Sequence, residues 1–272
     1  MGQPKKKAAS PAAQYFAEVL RLLRTAKGLS QNELGDVMGY SGAAVSAVET
    51  CAKPATDEFI GAAEKALGAG GLVSAAAKYL RLERYPAHFQ GFVQLEQEAL
   101  SVSSYCVMLI DGLLQTPEYA RALYDHAVPP LDPEEVEQHV SARMERKALF
   151  DRRPVCMIHV ILEESALRRL IGGPEVMRAQ YEYLIACAAR PNVTLQVMPA
   201  ARAGHACLAG PMKLIETPEQ LPLVYLEGQG NSVLVSDRDE VGVLNRRYAM
   251  IRSQALGPDE SLSFIEQLAG EL

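Results

Sequence analysis

The sequence has no long hydrophobic run: its uninterrupted apolar stretches, such as Tyr105–Ile110, fall far short of the ~20 residues that span a bilayer. Its opening, MGQPKKKAASP, is basic but has no apolar segment, which excludes a secretory signal. Lys6 also stands where a myristoylation signal requires Ser or Thr. A cytoplasmic chain with no membrane partner is expected. Cysteine is sparse as well. Cys51, Cys106, Cys156, Cys187 and Cys207 are odd in number, dispersed and never in a Cys-x-x-Cys pair. That pattern argues against a disulfide framework or a thiolate metal site and for free buried thiols. Also missing are Gly-x-Ser-x-Gly, His-Glu-x-x-His, a P-loop and Gly-x-Gly-x-x-Gly. No metal, no cofactor and no enzymatic activity are expected.

What remains is ample for folding. The chain has 272 residues, 49% hydrophobic and 22% charged, enough for two domains or three. A net charge of −6 disfavours non-specific binding to nucleic acid. Its distribution matters more. Residues 1–70 carry 8 Lys/Arg against 7 Asp/Glu, whereas the other 202 carry 19 against 26. An acidic body with a more basic head is the pattern of a chain whose head alone meets phosphate.

The head reads as four short amphipathic helices over residues 15–67. Phe16, Val19, Leu20, Leu23 and Ala26 recur at helical spacing and stop at Lys27-Gly28. Ser30-Gln-Asn-Glu33 is a capping box, in which each side chain satisfies the other residue's backbone N–H. Leu34, Val37 and Met38 form the stripe of that second helix, and Gly39-Tyr40 breaks it. Ser41 caps a third helix running through Thr50, and Thr56 or Asp57 caps a fourth with Phe59, Ile60, Ala63 and Leu67 facing inward. Two helices joined by a short glycine-containing turn form a helix-turn-helix unit.

The segment LRTAKGLSQNELGDVMGYSGAAVSAVET, Leu23–Thr50, resembles the Xre/phage-repressor class of helix-turn-helix domains without a gap. The resemblance implies double-stranded DNA as partner. It implies a phosphate contact from Gln31 and a third helix that presents Ser41, Gly42, Ala43, Ser46 and Ala47 to base edges in the major groove. Lys53 is expected to add a phosphate contact, and Arg24 and Glu49 match the family's structural ion pair between the first and third helices. The chain departs from the usual pattern in having no Arg, Lys, Gln or Asn on the outward face of that helix. Serine hydroxyls and alanine methyls offer no bidentate base contact, so direct readout should be modest. Lys5, Lys6 and Lys7 are either an arm following a phosphate or minor groove, or a solvated tail.

Beyond a glycine hinge at Gly68–Gly71, helical spacing is expected over Leu72–Glu83, Gly91–Ser101, Pro117–His126 and Pro133–Phe150. From residue 154 the period changes. Strands are expected at Val155–Leu162, Val193–Met198, Met212–Ile215, Leu223–Leu226 and Ser232–Val235, with helices at Glu163–Ile171, Glu175–Ala189, Asp237–Leu256 and Pro258–Leu272. The predicted organisation is a basic disordered arm (1–12), a helix-turn-helix domain (13–70), a helical linker region (71–150) and an α/β regulatory domain (151–272). The fold class is thus an all-α, phage-repressor-like N-terminal domain plus a C-terminal α/β (α+β) domain with a small mixed sheet.

The phrases GLLQTPEYARAL, RMERKALF, HVILEESALRRLIGG, NVTLQVMPAARAGH and LVYLEG resemble one family over about residues 85–270. It is the antitoxin-like C-terminal domain of actinobacterial Xre-type regulators, the WhiJ-like group, whose biochemistry is poorly known. The resemblance implies a transcriptional regulator, here expected to be a repressor, whose gene often neighbours that of a small partner protein. The alternative it leaves open is an antitoxin-like protein that chiefly binds that partner and uses DNA for autoregulation. Palindromic half-sites suit a homodimer built through the C-terminal two-thirds. Gly112, Leu113, Leu114, Gln115, Thr116, Tyr119 and His205 are the candidate surface for a small-molecule effector or a partner protein. His159, mid-strand in an apolar run, is expected to be a satisfied sheet-face histidine, and Glu163 or Glu164 to cap the following helix.

Overall fold

In a computed structural model that describes residues 11–82, 87–206, 208–228 and 232–272, the chain divides into two compact units, Met1–Tyr85 and Pro86–Leu272. The first is all-helical: α1 (Pro11–Ala26), α2 (Gln31–Met38), α3 (Gly42–Glu49), α4 (Asp57–Leu67) and α5 (Leu72–Leu82). Their apolar stripes converge on one core, with Leu20, Leu34, Val45, Ala63, Val73 and Ala77 fully enclosed. Each fully buried Leu or Val there contributes about 1.5–3 kcal/mol. The capping box Ser30/Glu33, the Ser41 cap and, of the two residues expected for α4, Thr56 all form.

Three expectations are corrected in this unit. Pro11 and Ala12 already belong to α1, while Lys5, Lys6 and Lys7 lie outside the described residues. The glycine hinge is tied down. The Glu64 carboxylate accepts the N–H of Gly71 at 2.6 Å and those of Ser74, through backbone at 2.8 Å and hydroxyl at 3.1 Å. It therefore acts as the missing N-terminal cap of α5. Helix α5 is also no linker, because Val73, Ala76 and Ala77 complete the head's core and Tyr79 meets Tyr15 edge-on.

The second unit is an α/β fold around a six-stranded mixed sheet. After α6 (Ala87–Glu98) come β1 (Ser101–Cys106), a 3-10 turn (Gly112–Leu114), α7 (Pro117–Tyr124) and α8 (Pro133–Glu145), which ends in a second 3-10 turn (Arg146–Phe150). Then follow β2 (Met157–Glu163), α9 (Glu164–Arg168), α10 (Pro174–Ala188), β3 (Val193–Met198), β4 (Met212–Glu216), β5 (Pro222–Leu226), β6 (Val233–Val235), α11 (Arg238–Gln254) and α12 (Pro258–Gly270). The order across the sheet is β3-β2-β1-β4-β5-β6, parallel from β3 to β1 and antiparallel from β1 to β6.

Strand β1 corrects the expected helical stretch at 71–150. The helix expected through Ser101 ends at Glu98, and SVSSYC is a central strand hydrogen-bonded on both sides, Ser104 opposite Val160 and Lys213. Alternation then sorts the layers. Val102, Ile158, Val160, Leu195 and Ile215 face a core shared with α10 and α12. Tyr105, Ile161, Met212 and Val224 face Val241, Leu244 and Tyr248 of α11. Pro133–Phe150 also proves to be two pieces, because the chain tightens after Glu145 and turns Arg146, Leu149 and Phe150 inward.

Candidate nucleic-acid interface

Helix α2 ends at Gly39, whose left-handed backbone (φ 76°, ψ 26°) lets its N–H bond back to the carbonyl oxygens of Gly35 and Asp36. The chain reverses through Tyr40, and Ser41 starts α3 by accepting the Ala44 N–H at 3.1 Å. Gly35 is needed where the two helices meet: a Cβ there would lie 2.6 Å from the Tyr40 carbonyl oxygen. This close crossing sets how α3 projects from the head.

The inner side of α3 is clamped. Arg24 on α1 meets Glu49 through Nε–Oε1 at 2.7 Å and Nη2–Oε2 at 2.9 Å, and its Nη1 donates to the Leu29 carbonyl at 2.7 Å. Both side chains are buried, and the carboxylate hydrogen bond raises the Arg24 guanidinium above its ordinary value. Gln31 Nε2 donates to Glu49 Oε2 at 2.8 Å, so the ion pair extends to the first residue of α2. One carboxylate thereby ties three helices together. The Gln31 side chain, expected to meet a phosphate, is thus oriented by Glu49 and keeps its second amide N–H outside that bond.

The outer side of α3 is small and open. Ala43, Ser46, Ala47 and Thr50 fall on one helical face, with Ala43 and Thr50 exposed and Ser46 and Ala47 half-buried. Thr50 Oγ1 donates to the Ser46 carbonyl at 2.7 Å. Lys53, just past the helix, is exposed. Two of the expected base-facing residues have other duties. The Ser41 hydroxyl is the helix cap, and Gly42 faces Asn32 of α2 instead of outward. Sequence reasoning passed over Asn32 and Thr50; the periodicity of α3 was enough to find Thr50.

The expected effector or partner surface at 112–119 is corrected, because these residues are interior. Leu113, Leu114 and Tyr119 are fully buried, Gln115 and Thr116 are buried, and Gly112 is half-buried. Gln115 Nε2 donates to the Ile110 carbonyl at 2.6 Å and Gln115 Oε1 accepts from Arg143 at 2.5 Å. The Thr116 N–H donates to Gln180 Oε1 at 2.8 Å, and Gln180 Nε2 to the Leu114 carbonyl at 2.6 Å. The polar residues expected to form an effector or partner surface instead satisfy buried backbone.

Beneath this segment lies a charged centre. Arg146 is bidentate to Glu96 at 2.7 and 2.8 Å, and Lys213 Nζ meets Asp111 Oδ2 at 2.9 Å. Burial opposes the charged form of Asp111, yet Lys213, Arg146 and the Leu113 N–H hold its carboxyl well below the usual range. Burial likewise opposes the Lys213 ammonium, but Asp111 and Glu227 hold it above its ordinary value. A side chain at Gly112 would stand 2.8 Å from Arg146 Nη1, which is why the turn passes there as glycine.

His205, expected on the same surface, has an enclosed side chain as well, 7% exposed. Its Nε2 lies 3.3 Å from Glu163 Oε1, an oxygen that also accepts from the Tyr105 hydroxyl at the carboxyl ends of β1 and β2. His159 behaves as a satisfied sheet histidine: Nε2 bonds Gln196 Oε1 at 2.7 Å, and Nδ1 accepts from the Tyr248 hydroxyl at 3.2 Å. Burial pushes its imidazole below the ordinary value and keeps it neutral at neutral pH. Glu164 accepts the Ala200 N–H at 2.8 Å and pairs with Arg168. Cys106, Cys156 and Cys187 are buried free thiols, and burial raises all three; Cys207 lies outside the described residues. Among the described residues no His, Cys, Asp and Glu cluster could hold a metal, and no helix is long and apolar enough to cross a membrane.

Two family models match the chain: a helix-turn-helix domain over residues 16–77, and a domain of unknown function, DUF5753, over residues 89–267. The first extends into α5, and the second spans nearly the stretch on which the C-terminal resemblance was drawn. No curated protein and no solved structure matches it.

Proposed function

The chain belongs to the DUF5753 family and carries a DNA-binding helix-turn-helix domain of the kind found in transcription regulators; from that premise we propose that it is a sequence-specific repressor working as a homodimer. Two heads related by a two-fold axis would meet half-sites about one helical turn apart. The C-terminal unit would carry the dimer contacts and take a small partner protein or a small-molecule effector, as the resemblance to the WhiJ-like regulators suggests. Binding there would bias the spacing of the heads and so their affinity for DNA. No reaction is assigned to the chain. His159 is spent on Gln196 and Tyr248, and Glu164 on Ala200 and Arg168.

The observation that carries this reading is the two-sidedness of α3. Its inner face is locked by Arg24, Gln31 and Glu49, while its outer face carries only small side chains, with Ala43 and Thr50 exposed and Ser46 and Ala47 half-buried, and a major groove admits a helix. The test is fluorescence anisotropy of the full chain on DNA from upstream of its own gene, at two salt concentrations, with unrelated competitor DNA. Binding that resists competitor supports a specific repressor. Weak binding abolished by moderate salt would remove it and leave partner binding as the main role.

A further inference from the structure

Helix α3 has no side chain able to make a bidentate base contact, and its first position, Gly42, has no side chain at all. The space is not empty. A Cβ built on Gly42 would lie 1.8 Å from Asn32 Oδ1 and 2.9 Å from Asn32 Cα, so the carboxamide of the neighbouring helix occupies the place where a side chain of residue 42 would leave the helix. Asn32 is exposed, and among the described residues its carboxamide has no hydrogen-bond partner. Its neighbour Gln31 differs, since that amide is bound to Glu49 Oε2 at 2.8 Å. Of the two amides in the first turn of α2, one is thus anchored inside the head and the other lies free over the leading end of α3.

We propose that Asn32 is the specificity-determining residue of the head, supplying from α2 the base-reading amide that α3 lacks, with an adenine edge in the major groove as its ligand. An asparagine amide matches adenine by accepting from N6 and donating to N7. A hydroxyl on α3 offers donor and acceptor only from a single oxygen, without the two-point geometry of an amide, and a methyl offers neither. The inference rests on the DNA-binding reading above. It changes the source of specificity from the recognition helix alone to the seam between α2 and α3. Gly42 then has a positive purpose: any larger residue would collide with Asn32.

The experiment is selection of bound duplexes from a random library by the full chain and by two variants, Asn32→Ala and Asn32→Asp, each read as a base-preference matrix. Alanine is a good helix former and aspartate suits the first turn of a helix, so α2 survives both changes. The wild type should show one position per half-site with an adenine preference on the order of tenfold. Asn32→Ala should flatten that position while the preferences elsewhere in the half-site remain. Asn32→Asp should shift it towards cytosine, whose N4 amino group a carboxylate accepts from. Two results would overturn the proposal: unchanged matrices in both variants, or a uniform loss of affinity with the matrix intact, which would make Asn32 a phosphate contact. A wild type that selects no motif at all would instead sink the sequence-specific reading itself.

Discussion

Each unit contains a bidentate Arg–Glu pair, and the two pairs do different work. In the head, Arg24–Glu49 joins helices only 25 residues apart, near the surface of a small core, and one of its oxygens is shared with Gln31. In the body, Arg146–Glu96 is enclosed on all sides, close to Asp111–Lys213, whose partners are 102 residues apart. The head spends its charge on orienting one helix whose far side must stay open. The body surrounds its charges with the turn at Gly112–Leu114 and the middle of a sheet. Burying two ion pairs is a weak source of net stability, but breaking one is costly, because the remaining charge has no water. Such a centre selects one arrangement of turn and strand.

The largest effect should come from the body. Lys213→Ala strands Asp111 and should cost about 3–5 kcal/mol, seen as loss of hydrogen-exchange protection across β1, β2 and β4 of the full chain. The pH dependence follows from the two shifts. The depressed Asp111 carboxyl contributes above its ordinary value of 3.8 and loses that contribution as pH falls below it; the raised Lys213 ammonium contributes below 10.5 and loses it as pH rises beyond. The variant should therefore show a flatter stability profile at both ends. If its profile matches the wild type, the pair is not a coupled centre.

Arg24→Ala should come next, at about 2–3 kcal/mol, less than the enclosed pair because water reaches the head more easily. It should also reduce specific DNA affinity, since Glu49 and Gln31 lose their anchor while the body keeps its exchange protection. Equal loss of protection in both units would break the contrast drawn between them. Glu64→Gln should weaken the cap of α5 by about 1 kcal/mol and raise exchange at Gly71 and Ser74, leaving α2 and α3 unaffected. The smallest effect should be Lys53→Ala, which on the proposed DNA-binding reading loses one phosphate contact. Affinity should drop alike for every sequence and the salt slope should shrink by about one. A changed base preference in that variant would instead place Lys53 on a base.

The head was far more legible than the body. Ser30-x-x-Glu33, Gly39 and Ser41 act on neighbours within three or four residues, so their spacing told what they would do, and each does it; for the cap of α4 spacing left Thr56 or Asp57, and it is Thr56. The Arg24–Glu49 pair was implied by resemblance and is present. The body depends on distant partners. Strand β1 was hidden because Ser-Val-Ser-Ser is poor strand material, and only β2 and β4 on either side make it one. The stretch from Gly112 to Tyr119 looked exposed because glycine, glutamine, threonine and proline usually mean a loop. In the fold, Gln115, Thr116 and Gln180 are consumed in satisfying one another and the backbone. Helix α3 lies where its cap and spacing put it, but Asn32 lies on another helix, and its meeting with Gly42 has no period to reveal it.

The sequence by itself determined where α2 and α3 begin and end, which faces the head's helices bury, and that no single face of α3 carries a strong base reader. Those properties follow from interactions between residues a turn apart, and a turn is all that spacing can measure. Tertiary structure alone decided that a serine-rich segment sits in the middle of a sheet, that an apparent surface loop covers a charged core, and which amide stands over the leading end of α3. The first two depend on residues brought from tens of positions away, where burial leaves a polar group no partner except the one the fold supplies; the third depends on how two neighbouring helices cross, which spacing along either one does not show.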